Sequence, residues 1–113
     1  MRNAHAIITV LVLLSAAGLC PSAVAAGDAA AGKTVFGTKC KTCHGAEGQG
    51  NPGLAKMLKA EIRDLGSPEV QKRSDDEIKK IITAGNGKMK PVAGVAGTDL
   101  DNVVAFVRSL KKK

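Results

Sequence analysis

Aromatic residues are almost missing from this 113-residue chain: it has no Trp, no Tyr, and only Phe36 and Phe106. Rings usually dominate the energetics of a core, so the chain brings little apolar bulk of its own. Cysteine is sparse too. Cys20, Cys40 and Cys43 are too few for a disulfide-stapled scaffold, and Cys20 lies in a segment expected to be removed. Length excludes a large enzyme with its own substrate domain. Acidic residues number 10 against 17 basic ones, a net charge of +7. That excess suits acidic protein partners or an anionic membrane surface. It does not point to nucleic acid, since zinc-finger spacing and an aromatic stacking platform are both lacking. No period-2 alternation of any length occurs, so strands are not expected.

What is present begins with a leader. Arg2 opens a short positive region, and Ala6 to Leu19 is apolar apart from Thr9, Ser15 and Gly18. That run suits a signal-peptide core and falls short of the roughly 20 residues a membrane-spanning helix needs. Ala23-Val24-Ala25 supplies the small residues of a cleavage site. Residues 1–25 therefore read as a cleaved signal peptide, and residues 26–113 as one exported, periplasmic domain. Its 88 residues keep 16 basic and 10 acidic side chains, a charge of +6. No transmembrane segment is expected in this mature part. A domain so small buries only about 60–65% of its unfolded surface. Something other than side chains is needed to fill the core.

Several helices can be read from their end signals. Asp28 can cap a helix running to about Lys39, in which Gly32 and Phe36 share a face, a notch beside a ring. Ser74-Asp75-Asp76-Glu77 is a capping box opening a helix with Ile78, Ile81 and Ile82 on one stripe, stopped by Gly85. Thr98-Asp99-Leu100-Asp101 resembles a second box. It leads into Leu100, Val103, Val104, Val107 and Leu110 at helical spacing, with Lys111–Lys113 at the negative end of the macrodipole. A weaker helix is expected over Leu54–Leu65, with Leu54, Leu58, Ile62 and Leu65 on one side. Gly- and Pro-rich connections at Gly45–Gly53, Gly66–Pro68 and Gly85–Gly97 separate them. The fold class is a small, loop-rich, all-α domain of three to five short helices.

The chemistry lies in Cys40-Lys41-Thr42-Cys43-His44. C-x-x-C-H is the spacing for covalent attachment of a c-type haem. On a helical turn, positions i, i+3 and i+4 share a face. Two thiols there can bond the two vinyl groups of one porphyrin, and the adjacent imidazole can bind the iron from the proximal side. A thioredoxin-like dithiol would need a βαβ pattern that is absent. Zinc would need further ligands, and His44 is the only His outside the leader. One covalent haem would also supply the missing apolar filler.

Iron has a second axial position, and Met is the natural remaining ligand; a Met/His pair raises the reduction potential. Met57 falls in the expected Leu54–Leu65 helix, where Met is usually a core gap-filler. Met89 lies in the loop Gly85-Asn86-Gly87-Lys88-Met89-Lys90-Pro91, between lysines that need solvent, and is the favoured ligand. An open site, giving a gas-binding or enzymatic haem protein, is the alternative.

Gly32-Lys33-x-x-Phe36 ahead of Cys40–His44-Gly45, then Pro52, then Gly85–Pro91, then an amphipathic helix with Phe106, resembles a small bacterial class I, monohaem cytochrome c. The resemblance spans essentially all of residues 26–113. It implies N- and C-terminal helices crossing near Gly32/Phe36 and Val103/Phe106, wrapped around one haem c. It also implies that the Pro52 carbonyl receives a hydrogen bond from the far nitrogen of His44, which orients the ligand. Two departures stand out: Lys90, not Pro, follows Met89, and no Tyr or Trp is available to a haem propionate. The implied function is a one-electron carrier with His44 and Met89 as axial ligands, working between acidic redox partner proteins. It would act as a monomer or as the electron-transfer subunit of a larger dehydrogenase or oxidase complex. Lys39 and Lys41 beside the attachment site, and Lys88 and Lys90 beside Met89, are candidates to steer such partners.

Overall fold

The computed structural model describes residues 27–113, and the expected signal peptide lies outside them. Within the described residues the chain forms six helices: α1 (Ala29–Lys39), α2 (Lys41–His44), α3 (Pro52–Leu58), α4 (Pro68–Gln71), α5 (Asp75–Ala84) and α6 (Gly97–Ser109). The only β-type pairing among them is an isolated bridge between Asn86 and Met89. The count exceeds three to five because α2 and α4 are single turns. Ser67, whose hydroxyl accepts from Val70 N, and Pro68 at the first turn start α4 inside what the sequence reading takes for a connection.

α1 begins where its cap signal places it. Asp28 accepts from the N–H groups of Ala30 and Ala31 at 2.8 and 3.2 Å. α1 packs across α6 at Gly32, whose missing side chain lets the two backbones meet. One turn on, Phe36 stacks on Phe106 with ring centroids 5.0 Å apart and planes tilted by 59°. These two rings, with Val103, Val104, Val107, Ile78, Ile82, Val70 and Val95, make the core. Burying a side chain of this size contributes about 1.5–3 kcal/mol. Leu100 and Leu110, expected on the same stripe, are half-buried against it. Asn102 is buried as well, its Oδ1 accepting from Asp28 N at 2.8 Å, so the start of α1 is tied to α6 by a side chain.

The capping box of α5 forms as expected: Ser74 accepts from Glu77 N, and Glu77 accepts from Ser74 N. The second box does not form. α6 starts at Gly97 after Ala96 with no side-chain cap, and the Asp101 carboxylate instead pairs with Lys79 of α5 at 2.6 Å. The helix expected over Leu54–Leu65 is corrected too. Asn51 and Pro52 start it earlier, and Lys59 ends it at φ 50°, with its N–H returned to the carbonyls of Ala55 and Lys56. Ile62 and Leu65 fall in irregular chain, and Leu58 is exposed, so the four residues share no helical face.

The segment from α4 to α5 is held to α6 by polar contacts. Arg108 donates to the Gln71 carbonyl and to Asp75 Oδ1, each at 2.9 Å. Gln71 Nε2 returns to the carbonyls of Leu65 and Val107 at 2.8 and 2.9 Å. The loop after α5 is pinned by Val92 N to the Ile82 carbonyl at 2.8 Å.

Candidate functional site

α1 runs directly into the Cys40–His44 motif. Cys40 is at once the last cap of α1, its N–H on the Phe36 carbonyl at 2.8 Å, and the first cap of α2. Its φ of −121° breaks the helix and turns the chain. The Cys40 carbonyl accepts from Cys43 N at 3.2 Å and from His44 N at 3.0 Å, which closes the turn bearing both thiols and the imidazole. Gly45, at φ 78°, ends it.

Cys40 and Cys43 form no disulfide; Cys43 is exposed and Cys40 is half-buried against the core. Burial, with Cys43 beside it, pushes the Cys40 thiol up to about 11. The His44 ring lies 6.3 Å from Phe36, tilted by 46°, so Phe36 links the motif to the α1–α6 crossing. Burial lowers the imidazole's pKa below its usual value, which favours the neutral form that binds metal. His44 Nδ1 is buried and has no hydrogen-bond partner. The bond expected to the Pro52 carbonyl is therefore not formed in this structure; Pro52 is exposed at the first turn of α3.

Met89 lies in the loop between α5 and α6. Asn86 N donates to the Met89 carbonyl at 2.8 Å, and Met89 N donates back to Asn86 at 3.0 Å, closing a tight turn through Gly87 and Lys88. Gly87 takes φ 58° at the first central position, where a side chain would be strained. The Met89 side chain is half-buried against the core that also receives Cys40. Met57 is 73% exposed, not the core gap-filler that its place in a helix suggested. Lys88 and Lys90 are exposed, as are Lys39 and Lys41, and none of the four forms an ion pair among the described residues. The Lys39 ammonium lies beside Gly94, in the loop that follows Met89.

Several of these observations bear on which cofactor fits. Among the described residues no three His, Cys, Asp or Glu side chains converge on one ion-sized point. Two thiols and an imidazole on one turn, yet not focused on a point, suit a ring that takes sulfur at its rim and nitrogen at its centre. The core that Cys40 and Met89 both flank is apolar, as such a ring requires.

Residues 29–111 match the cytochrome c family. The chain belongs to that family. It carries a covalently bound c-type haem and transfers electrons; it is not an enzyme. It is 32% identical over 91 residues to cytochrome c-554(547) of Halothiobacillus neapolitanus, covering 76% of this chain and all of that one. It is 36% identical over 111 residues to cytochrome c6 of Rippkaea orientalis, covering 95% and 92% of the two chains. Among solved structures it is similar to the KustC0563 c-type cytochrome, with a TM-score of 0.58 and 32% identity over 72% of this chain and 98% of the other. Among the described residues of this small cytochrome, no helix is long and apolar enough to cross a membrane.

Asn51 was not singled out from the sequence. Its signal was there: Asn before Pro is a helix-start pattern, and the structure uses it as one. Arg108 and Gln71, which hold α4 to α6, carry no such local signal.

Proposed function

We propose that this cytochrome is an exported, periplasmic one-electron carrier, with Cys40 and Cys43 forming the haem thioethers and His44 and Met89 the axial ligands. The observation that carries the reading is the pairing of a closed Cys40–His44 turn with a half-buried Met89, both against one apolar core. Haem supplies the chemistry, reversible gain and loss of one electron at iron. The protein's part is to hold that metal still. His44 on a closed helical turn and Met89 in a hydrogen-bonded loop would hold it with little movement between oxidation states. Were His44 and Met89 both to hold the iron, no position would remain at which a small molecule could be bound and transformed. The buried Nδ1 of His44 has no acceptor in this structure; in this reading the Pro52 carbonyl would become that acceptor once haem holds the ring, and would keep the imidazole basic and oriented. Lys39, Lys41, Lys88 and Lys90 steer acidic redox partners toward the site. The domain works as a monomer.

The test compares Met89→Ala with Met57→Ala. Met89→Ala is expected to lower the reduction potential and to let the reduced protein bind carbon monoxide, while Met57→Ala leaves both as they were. An unaltered Met89→Ala protein would overturn the ligand assignment. Rapid carbon monoxide binding by the unmodified protein would favour an open-site haem protein instead.

A further inference from the structure

Asn51 stands between the attachment turn and α3 and uses both ends of its amide. Its Nδ2 donates to the Thr42 carbonyl, inside the Cys40–His44 motif, at 3.3 Å. Its Oδ1 accepts from Leu54 N at 3.1 Å and so caps α3. The same loop is drawn back a second time by its main chain, Gly50 N donating to the His44 carbonyl at 2.7 Å. Carbonyls in the last turn of a helix have no intrahelical partner. In α2 the Lys41 carbonyl receives Gly45 N, and the Thr42 carbonyl receives Asn51. One side chain thus closes the C-terminal end of α2 and the N-terminal end of α3, and the next residue is Pro52.

A helix cap needs only the oxygen. The nitrogen end reaches nine residues back, to the turn that carries the iron ligand. We propose that Asn51 is a positioning residue for His44: its amide ties Pro52 and the first turn of α3 to the Cys40–His44 turn, so that when haem holds the ring the Pro52 carbonyl, which Nδ1 does not reach in this structure, can serve as its acceptor. The inference rests on His44 being the iron ligand. A hydrogen bond from Nδ1 to a carbonyl raises the basicity of the ligating nitrogen, and a more basic imidazole favours oxidised iron. Releasing the clasp would weaken that bond in the haem-loaded protein and raise the reduction potential.

Two variants of the haem-loaded protein separate positioning from capping. Asn51→Ala removes both contacts. Asn51→Ser keeps a good, uncharged N-cap, but its hydroxyl is too short to reach Thr42 as well. The readouts are thermal stability, reduction potential, and the solvent exchange of the His44 Nδ1 proton, followed by NMR in the reduced protein. The expected result is that Asn51→Ser melts with the unmodified protein, yet has a raised potential and a several-fold faster Nδ1 exchange. An Asn51→Ser protein with unmoved potential and exchange would overturn the inference, leaving Asn51 a plain cap, even if Asn51→Ala proved too unstable to isolate. If the unmodified protein lacked His44–iron ligation, the proposed function would fall first and this inference with it. Normal ligation with unmoved variants would remove this inference alone.

Discussion

Gly32 lies against the backbone of Asn102: a Cβ on Gly32 would stand 1.8 Å from the Asn102 carbonyl oxygen and 2.4 Å from its carbonyl carbon. No side-chain adjustment relieves a clash with main chain. Gly32→Ala must push α1 from α6, and with it Phe36 from Phe106. The expected cost is about 1–3 kcal/mol or more, the usual range for overpacking. Gly37→Ala on the same helix meets nothing within 4 Å and is expected to gain about 0.5–1 kcal/mol. Denaturant unfolding of the two variants checks both signs. Equal stabilities would mean that the helices do not cross as described.

Lys59 ends α3 at φ 50°, a left-handed conformation that costs a side-chain-bearing residue roughly 1–2 kcal/mol. Its backbone N–H is used there, and its side chain is exposed with no ion pair among the described residues. Lys59→Gly is therefore expected to raise stability by about 1 kcal/mol, read as a higher melting temperature with an unchanged haem spectrum. A lower melting temperature would contradict this end to the helix.

The C-terminal segment is held by Asp64, which accepts from Lys112 Nζ and from Gly66 N. These contacts, Lys112 foremost, hold its carboxyl below the usual carboxylate range. A folded-state value below the unfolded one adds stability that is present above the unfolded value, near 3.9, and disappears as pH falls through the folded one. Asp64→Asn is expected to be slightly less stable than the unmodified protein at pH 7. The gap should close on acidification below about pH 4. The pair is exposed, so the effect stays in the small range of surface ion pairs. A gap that is constant across acid pH would show the pair to be idle.

Lys88 and Lys90 flank Met89 without carboxylate partners among the described residues. Neutralising both to Gln is expected to slow electron transfer to an acidic partner protein at low salt by about tenfold, and to flatten the salt dependence. Stopped-flow rates across a salt series measure this. Rates that match the unmodified protein at low salt would place docking elsewhere.

Where the sequence was readable, the signal was local. Asp28, Ser74 with Glu77, and the spacing of Cys40, Cys43 and His44 each act within a few residues, and each forms as read. The apolar spacing of Val103, Val104 and Val107 also survives, because one face of α6 meets the rest of the core. What misled was competition from distant residues. Asp101 is spaced to close a box on Thr98, yet Lys79 on another helix takes it. Leu58, Ile62 and Leu65 have helical spacing, yet Lys59 turns left-handed between them. The site follows the same rule. The Cys40–His44 turn could be read directly, but the two-ended hold of Asn51 on Thr42 and Leu54 spans separate elements and becomes visible only in three dimensions.

The most direct measurement is a peptide map of the purified, denatured protein by mass spectrometry. The peptide containing Cys40–His44 is expected to carry the mass of one haem, with both thiols closed to alkylation. The same peptide at its bare mass, with Cys40 and Cys43 both alkylated, would contradict the assignment of this turn as the place where the haem is held.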